Sequence, residues 1–404
     1  MIRLLGDLFA PEERGLSVVS VDGGVVAAIE PVDAAEAVAA VRTVGGPIFG
    51  SPTSRIVPGL IDIQVNGAFG HDFADPTADV ESIARSVPRF GITGFVPTIV
   101  TSAPSVYPAA LANLRRVSHP GEARVLGTHV EGPFISPRQH GTHDPAYLRL
   151  PDTVEAEGWL EAGDIRWLTL APELPGALEL VRFLVDRGVR VSIGHTDATW
   201  AESAAAVDAG ATMATHVFNA MRPLHHRDPG VVGHVLATSL TAGFIGDGQH
   251  LAFDTIRLLA RVKAPDELVL VTDALAGLGM PAGRHVLAGR EYRSDGTVGR
   301  LPDGTLSGSL LPLNLALRNL VREVGLEPAV AIRFATLNPA RAIGCAEDMG
   351  RVAVGRPADI AVLGDDWSVE ATLIGGAVAF DGGVAAVEAA AASRGTAELP
   401  SHSS

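Results

Sequence analysis

The sequence predicts an α/β protein, a closed (β/α)8 TIM barrel carrying a small β-sandwich domain built from both chain ends. Three observations predict it. Apolar strand-like runs alternate eight times with helical stretches through the middle of the chain, polar residues able to ligate metal or move protons recur where those runs end, and β-type runs broken by glycine occupy both ends. With 404 residues, 47% of them hydrophobic and 19% charged, the chain has enough apolar mass for a barrel and a companion domain.

Residues 1–54 form the first part of the small β domain. Leu16-Ser17-Val18-Val19-Ser20-Val21 and Val25-Val26-Ala27-Ala28-Ile29 flank an Asp-Gly-Gly break. Residues 345–385 repeat the texture in Ala358-Asp359-Ile360-Ala361-Val362-Leu363 and Thr372-Leu373-Ile374-Gly375-Gly376, and are expected to complete the same sheet domain. Residues 386–404, Ala-rich and ending Ser401-His402-Ser403-Ser404, read as a flexible tail.

Residues 55–344 hold the barrel. Its eight runs end near Gln64, Thr98, Glu131, Glu173, His195, His216, His250 and Asp273, and segments such as Leu178 to Arg187 and Thr255 to Val262 read as helices. A doubly wound open sheet would alternate similarly, but no Gly-x-Gly-x-x-Gly turn follows the first strand.

Composition narrows the function. A formal net charge of -15 repels phosphate backbones and anionic headgroups, so neither nucleic acid nor membrane is an expected partner; a small anionic substrate held by a few local cations remains compatible. The single cysteine, Cys345, permits no intramolecular disulfide, and the first residues lack a basic segment followed by a long apolar stretch. A cytoplasmic location is expected.

Glu131, His195 and His216 each close a different run, so one barrel mouth can gather a carboxylate and two imidazoles around a divalent cation with a position left for water. The plainer alternative is two hydrogen-bonded buried histidines. Asp273 ends the eighth run, where it serves either as a general base or as a helix N-cap. His129, two residues before Glu131 and so on the same side, is a conceivable ligand but reads better as a hydrogen-bonded core group one layer deeper.

His129-Val130-Glu131-Gly132-Pro133-Phe134, Gly141-Thr142-His143, Gly194-His195-Thr196, Thr215-His216-Val217-Phe218-Asn219-Ala220-Met221, Thr272-Asp273 and Gly304-Thr305-Leu306-Ser307-Gly308-Ser309 together resemble the N-acetylglucosamine-6-phosphate deacetylases of the amidohydrolase superfamily, in order and in interval. The resemblance runs from Val57-Pro58-Gly59 to Gly355-Arg356-Pro357-Ala358-Asp359. It implies that Glu131, His195 and His216 bind the metal, that Asp273 is general base and then acid, and that His143 polarises the scissile carbonyl.

The resemblance further implies substrate contacts from Thr142, Asn219, Ala220, Arg227, Asp247 and His250, with His250 reaching the phosphate across the interface of a homodimer. Leu306, Ser307 and Gly308 match a substrate-contacting loop, which the residues alone suggest is a tight turn opening a helix near Pro312 to Arg322. Arg222, His225 and His226 read as loop-surface residues.

Where many superfamily relatives carry His-x-His at the end of the first strand, this chain has Gln64-Val65-Asn66. Amides are poorer ligands than imidazoles, so the second-metal position is expected to be vacant and one divalent ion is expected per subunit: Zn²⁺, or alternatively Fe²⁺, Co²⁺ or Mn²⁺. The implied reaction is deacetylation of N-acetylglucosamine 6-phosphate to glucosamine 6-phosphate and acetate. A deacetylase of the galactosamine epimer or a related N-acyl amino-sugar phosphate, and a catalytically silent sugar-phosphate sensor, are the alternatives.

Overall fold

In a computed structural model, which describes residues 1–35, 37, 46–115 and 119–383, the eight expected runs are eight parallel strands. They span Leu60–Val65, Ile92–Val100, Thr128–Glu131, Ile165–Leu170, Arg190–Ile193, Met213–Ala214, Thr241–Ile245 and Leu268–Val271. Each pairs with the next, and the ring closes where Val65 bridges Ala274 and the Asn66 amide N–H donates to the Ala274 carbonyl at 2.7 Å. Glu173 and His250 stand in the loops that follow the fourth and seventh strands, beyond the last ladder bonds. The expected tail, 386–404, lies outside the described residues.

Period-two alternation sorts each strand between two clusters. Leu168 and Leu170 pack among the surrounding helices, whereas Trp167 joins Ile61, Ile63, Val96, Met213, Ile245, Val269 and Val271 in a separate cluster closed by Ala340, Ile343 and Met349. The helices follow their apolar spacing. Ala177–Asp186 buries Ala177, Leu180, Val181 and Leu184, one stripe of a 3.6-residue period. Trp200–Asp208 starts at a capping box in which the Thr199 hydroxyl receives the Glu202 N–H and the Glu202 carboxylate receives the Thr199 N–H at 2.8 Å.

Both chain ends build one seven-stranded sheet, as expected. Ile48–Pro58, the strand leading into the barrel, pairs in parallel with Ile2–Phe9 and antiparallel with Ile360–Leu363. Leu4, Leu8, Val19, Ile56, Ile360, Val362 and Leu373 give this sheet its own apolar core.

The segment after the eighth strand differs from the sequence reading. Leu306, Ser307 and Gly308 are not a tight turn but part of Leu306–Ser309, the last strand of a four-stranded antiparallel sheet with Gly283–Leu287, Arg290–Ser294 and Val298–Arg300. The helix expected near Pro312 to Arg322 is present, starting at Leu313 with Pro312 as its N-cap. Pairing of Val298 with Ser309 and a bond from the Ser309 N–H to the Asp273 carbonyl at 3.1 Å hold the strand against the barrel mouth. Gly308, at φ +145°, makes that approach possible, since a Cβ there would lie 2.6 Å from the Asp273 oxygen. Among the described residues no helix is long and apolar enough to cross a membrane.

Candidate active site

The barrel mouth opens into a cavity of about 430 Å³ lined by Glu131, His143, His195, His216, Asp273 and His250, among others. Glu131 ends the third strand, and His195, His216 and Asp273 follow the fifth, sixth and eighth in a left-handed backbone conformation (φ +47°, +25° and +52°) that turns each side chain over the rim. Non-glycine residues adopt that conformation at a cost and only where the surroundings enforce it.

Three donor atoms converge. Glu131 Oε1 lies 3.0 Å from His216 Nε2 and 3.2 Å from His195 Nε2, and the two ring nitrogens are 3.1 Å apart. His195 Nδ1 faces the Gln139 carbonyl at 2.9 Å, which fixes its proton there and leaves the Nε2 lone pair turned inward. Two imidazole nitrogens and a carboxylate oxygen with such spacings match a tetrahedral divalent ion, whose ligand atoms at about 2.0–2.1 Å stand about 3.3 Å apart. Against the opposing effect of burial, the hydrogen bonds and charges of His195 and His216 hold the Glu131 carboxyl well below its ordinary range.

Gln64 and Asn66 face the carboxylates with their amide N–H groups. Gln64 Nε2 donates to Glu131 Oε2 at 3.2 Å and to Asp273 Oδ1 at 3.1 Å, and Asn66 Nδ2 donates to the same Asp273 oxygen at 2.8 Å. An NH2 group therefore occupies the space between the two carboxylates. Burial, then the nearby Glu131 charge, raises the Asp273 pKa, the direction that suits a base which must later return its proton.

His143 is neutral and oriented. Its Nδ1 accepts the Thr101 backbone N–H at 3.3 Å and lies 2.7 Å from the Thr101 hydroxyl, so the ring proton sits on Nε2. Burial, then the neighbouring His195, pushes its pKa well below the ordinary imidazole value. Gly132, at φ +76°, leaves room for this arrangement, because a Cβ would lie 2.4 Å from the Thr101 hydroxyl oxygen.

His129 occupies the deeper layer. Fully buried and stacked on Trp167, it bonds Thr98 Oγ1 at 3.1 Å and Thr169 Oγ1 at 2.8 Å, and burial lowers its pKa to about 3. Asp62 is buried in the seam between the first and eighth strands, accepting from the Thr272 hydroxyl at 2.5 Å and from the Gln64 and Thr272 N–H groups at 3.3 Å. Burial raises its pKa to about 7.

Of the expected substrate contacts, Thr142, Asn219, Ala220, Leu306 and Ser307 line the cavity; Gly308 stands just behind, and Arg227 is exposed and bonded to His226 at 2.8 Å. Arg222, read as a surface residue, pairs with Asp228 at 2.7 Å. His250 lies in the cavity of its own chain. Asp247 accepts both its backbone N–H and its Nδ1, at 2.9 and 2.6 Å, and so holds the ring in its own chain's cavity. Sequence reasoning missed Arg138 and Arg290, which line the same cavity. Arg290 carries a faint signal, the alternating run Arg284-His285-Val286-Leu287 before an Ala-Gly turn.

The Amidohydrolase family model matches residues 55–379. The chain is 40% identical to the N-acetylglucosamine-6-phosphate deacetylase of Homo sapiens over 339 residues, covering 80% of this chain and 82% of that protein. It is 36% identical to the N-acetylgalactosamine-6-phosphate deacetylase of Escherichia coli O157:H7 over 366 residues, 88% and 93% of the two chains. Among solved structures, a mutant N-acetyl-D-glucosamine-6-phosphate deacetylase from Mycobacterium smegmatis in complex with N-acetyl-D-glucosamine-6-phosphate superposes with a TM-score of 0.84 at 30% identity, covering 94% of this chain and 99% of that one.

Proposed function

We propose, from the premise that this chain belongs to the amidohydrolase family and to its N-acetylglucosamine-6-phosphate deacetylases, that it hydrolyses the acetamide of N-acetylglucosamine 6-phosphate to glucosamine 6-phosphate and acetate. The observation that carries the reading is the meeting, in one cavity, of the Glu131, His195 and His216 donor triangle with the Asp273 carboxylate and the ring of His143.

Glu131, His195 and His216 would hold a divalent ion, with Zn²⁺ the first choice, which would supply Lewis acidity toward water and the amide carbonyl. Asp273 takes a proton from the attacking water on its carboxylate and returns it to the departing amine. His143, neutral and protonated on Nε2, donates a hydrogen bond to the carbonyl oxygen as negative charge builds there. Asn219, Ala220 and the strand edge at Leu306–Ser307 receive the sugar phosphate, beside His250 held by Asp247.

We read the site as using one ion, because the Gln64 NH2 group already fills the space between Glu131 and Asp273 and donates to both. A homodimer in the cytoplasm remains part of the proposal on the resemblance. Arg227, exposed and outside the cavity lining, is proposed as a further contact to the phosphate. Sedimentation as a monomer at assay concentration would remove the dimer.

The deciding assay measures acetate release by the zinc-loaded protein from N-acetylglucosamine 6-phosphate, its galacto epimer and the unphosphorylated sugar. The reading requires the gluco phosphate to have the highest kcat/KM. Preference for the galacto epimer would transfer the assignment to the activity named for the Escherichia coli relative, and absence of acetate from all three would end it.

A further inference from the structure

The short loop from Gln139 to His143 serves two roles at once. The Gln139 carbonyl sets the proton of His195, and His143 itself stands over the cavity. The loop's backbone is held from outside the barrel. Arg290, half-buried on the second strand of the four-stranded sheet, donates through Nη1 to the Thr142 carbonyl at 2.6 Å and the His143 carbonyl at 3.2 Å. A second tie runs from the Thr142 hydroxyl to Ser307 Oγ at 3.2 Å, on the last strand of the same sheet.

The placing of Arg290 is itself fixed. Leu287 pairs with Arg290 across a two-residue turn, Ala288-Gly289, in which both residues have positive φ, the geometry that matches strand twist in a tight hairpin. The Asp72 carboxylate accepts the Ala288 N–H at 2.5 Å and pins that turn to the loop after the first barrel strand. A charged donor shared between two carbonyls gives this loop a stronger anchor than a neutral contact would.

We infer that Arg290 is a positioning residue: by clasping the carbonyls of Thr142 and His143, the inserted sheet holds the end of the loop that aims His143 at the scissile carbonyl. The aim at a scissile carbonyl rests on the deacetylase reading; the clasp does not.

Two measurements test it. In hydrogen–deuterium exchange of the full chain, Arg290→Ala speeds exchange in peptides covering 139–149, and Arg290→Lys, which keeps one charged donor, restores part of the protection. In steady-state kinetics, Arg290→Ala lowers kcat about 10- to 100-fold, the order expected for a lost hydrogen bond to a charged group, with a smaller change in KM. In a His143→Ala background the same substitution changes kcat by less than about threefold, because the group it positions is gone.

Unchanged exchange in 139–149 overturns the clasp, and losses that multiply in the double variant overturn its action through His143. A rise in KM with kcat unchanged overturns it too, by making Arg290 a direct substrate ligand. If the wild-type protein releases no acetate, the deacetylase reading fails by itself, and the exchange measurement still decides whether Arg290 holds the loop.

Discussion

Replacing Asp273 with Asn separates the proton-transfer role from everything else the side chain does. The fold should tolerate it. Asn keeps the Oδ1 acceptor for the Gln64 and Asn66 amides, now at 3.1 and 2.8 Å, and Asn is among the few residues that enter left-handed backbone readily, as position 273 requires at φ +52°. Asp273 is 8% exposed and close to the Glu131 charge, so its ionised form is disfavoured in the native state. A neutral amide relieves that repulsion, and metal-free stability near neutral pH should stay within about 1 kcal/mol of wild type or rise. Catalysis should not survive. One positioned acid–base group contributes about 10²–10⁴-fold, and a group that acts in both directions belongs at the upper end, about 10⁴-fold or about 5 kcal/mol of barrel-site stabilisation of the transition state. The assay is acetate release under single turnover, with zinc content and thermal unfolding measured on the same preparation. Turnover within tenfold of wild type at equal zinc content would refute the assignment, and loss of zinc would show that the side chain serves the ion and not the proton.

Three further outcomes follow from the geometry. Native Asp62 binds its proton more tightly than the unfolded chain does, so its contribution to stability is complete below about pH 3.8 and is lost as pH rises through about 7. Asp62→Asn, which keeps an acceptor for the two N–H groups and gains a donor for the Thr272 hydroxyl, should remove that loss, worth at most about 4 kcal/mol; parallel urea midpoints for the two proteins between pH 5.5 and 8.5 would contradict it. Chelation should abolish hydrolysis, and zinc reconstitution should restore it at one equivalent per chain; a plateau at two equivalents would show a second seat despite Gln64 and Asn66. His129→Phe should cost about 2–4 kcal/mol by leaving the Thr98 and Thr169 hydroxyls without their shared partner, and a denaturation midpoint equal to wild type would argue against that network.

The parts legible in the sequence are those written as local pattern. The eight strands are apolar runs that stop at polar residues, so their order and number carry over from sequence to structure. Glu131, His195 and His216 are recognisable because their chemistry is rare at strand ends, and the structure brings their ligand atoms together. The spacing of His129 puts it on the face of Glu131, and its stacking on Trp167 and bonds to Thr98 and Thr169 place it in the deeper layer and not among the ligands. Other parts depend on where separate segments meet. Nothing near Arg290 says that its guanidinium reaches Thr142, far away in the chain, and the Gln139 contribution is a backbone carbonyl that every residue type possesses. The orientation of the His250 ring likewise depends on its bond to Asp247, which its place after the seventh strand does not announce.

The seven-stranded sheet also dictates an order of assembly. Ile48–Pro58 leaves the ribosome early, but one of its two neighbours, Ile360–Leu363, is translated only after the whole barrel. Until then one edge of that strand has open hydrogen-bonding groups that invite pairing with other nascent chains. A stop codon placed just before residue 360 would spare every residue of the catalytic cavity and still release a product prone to aggregate.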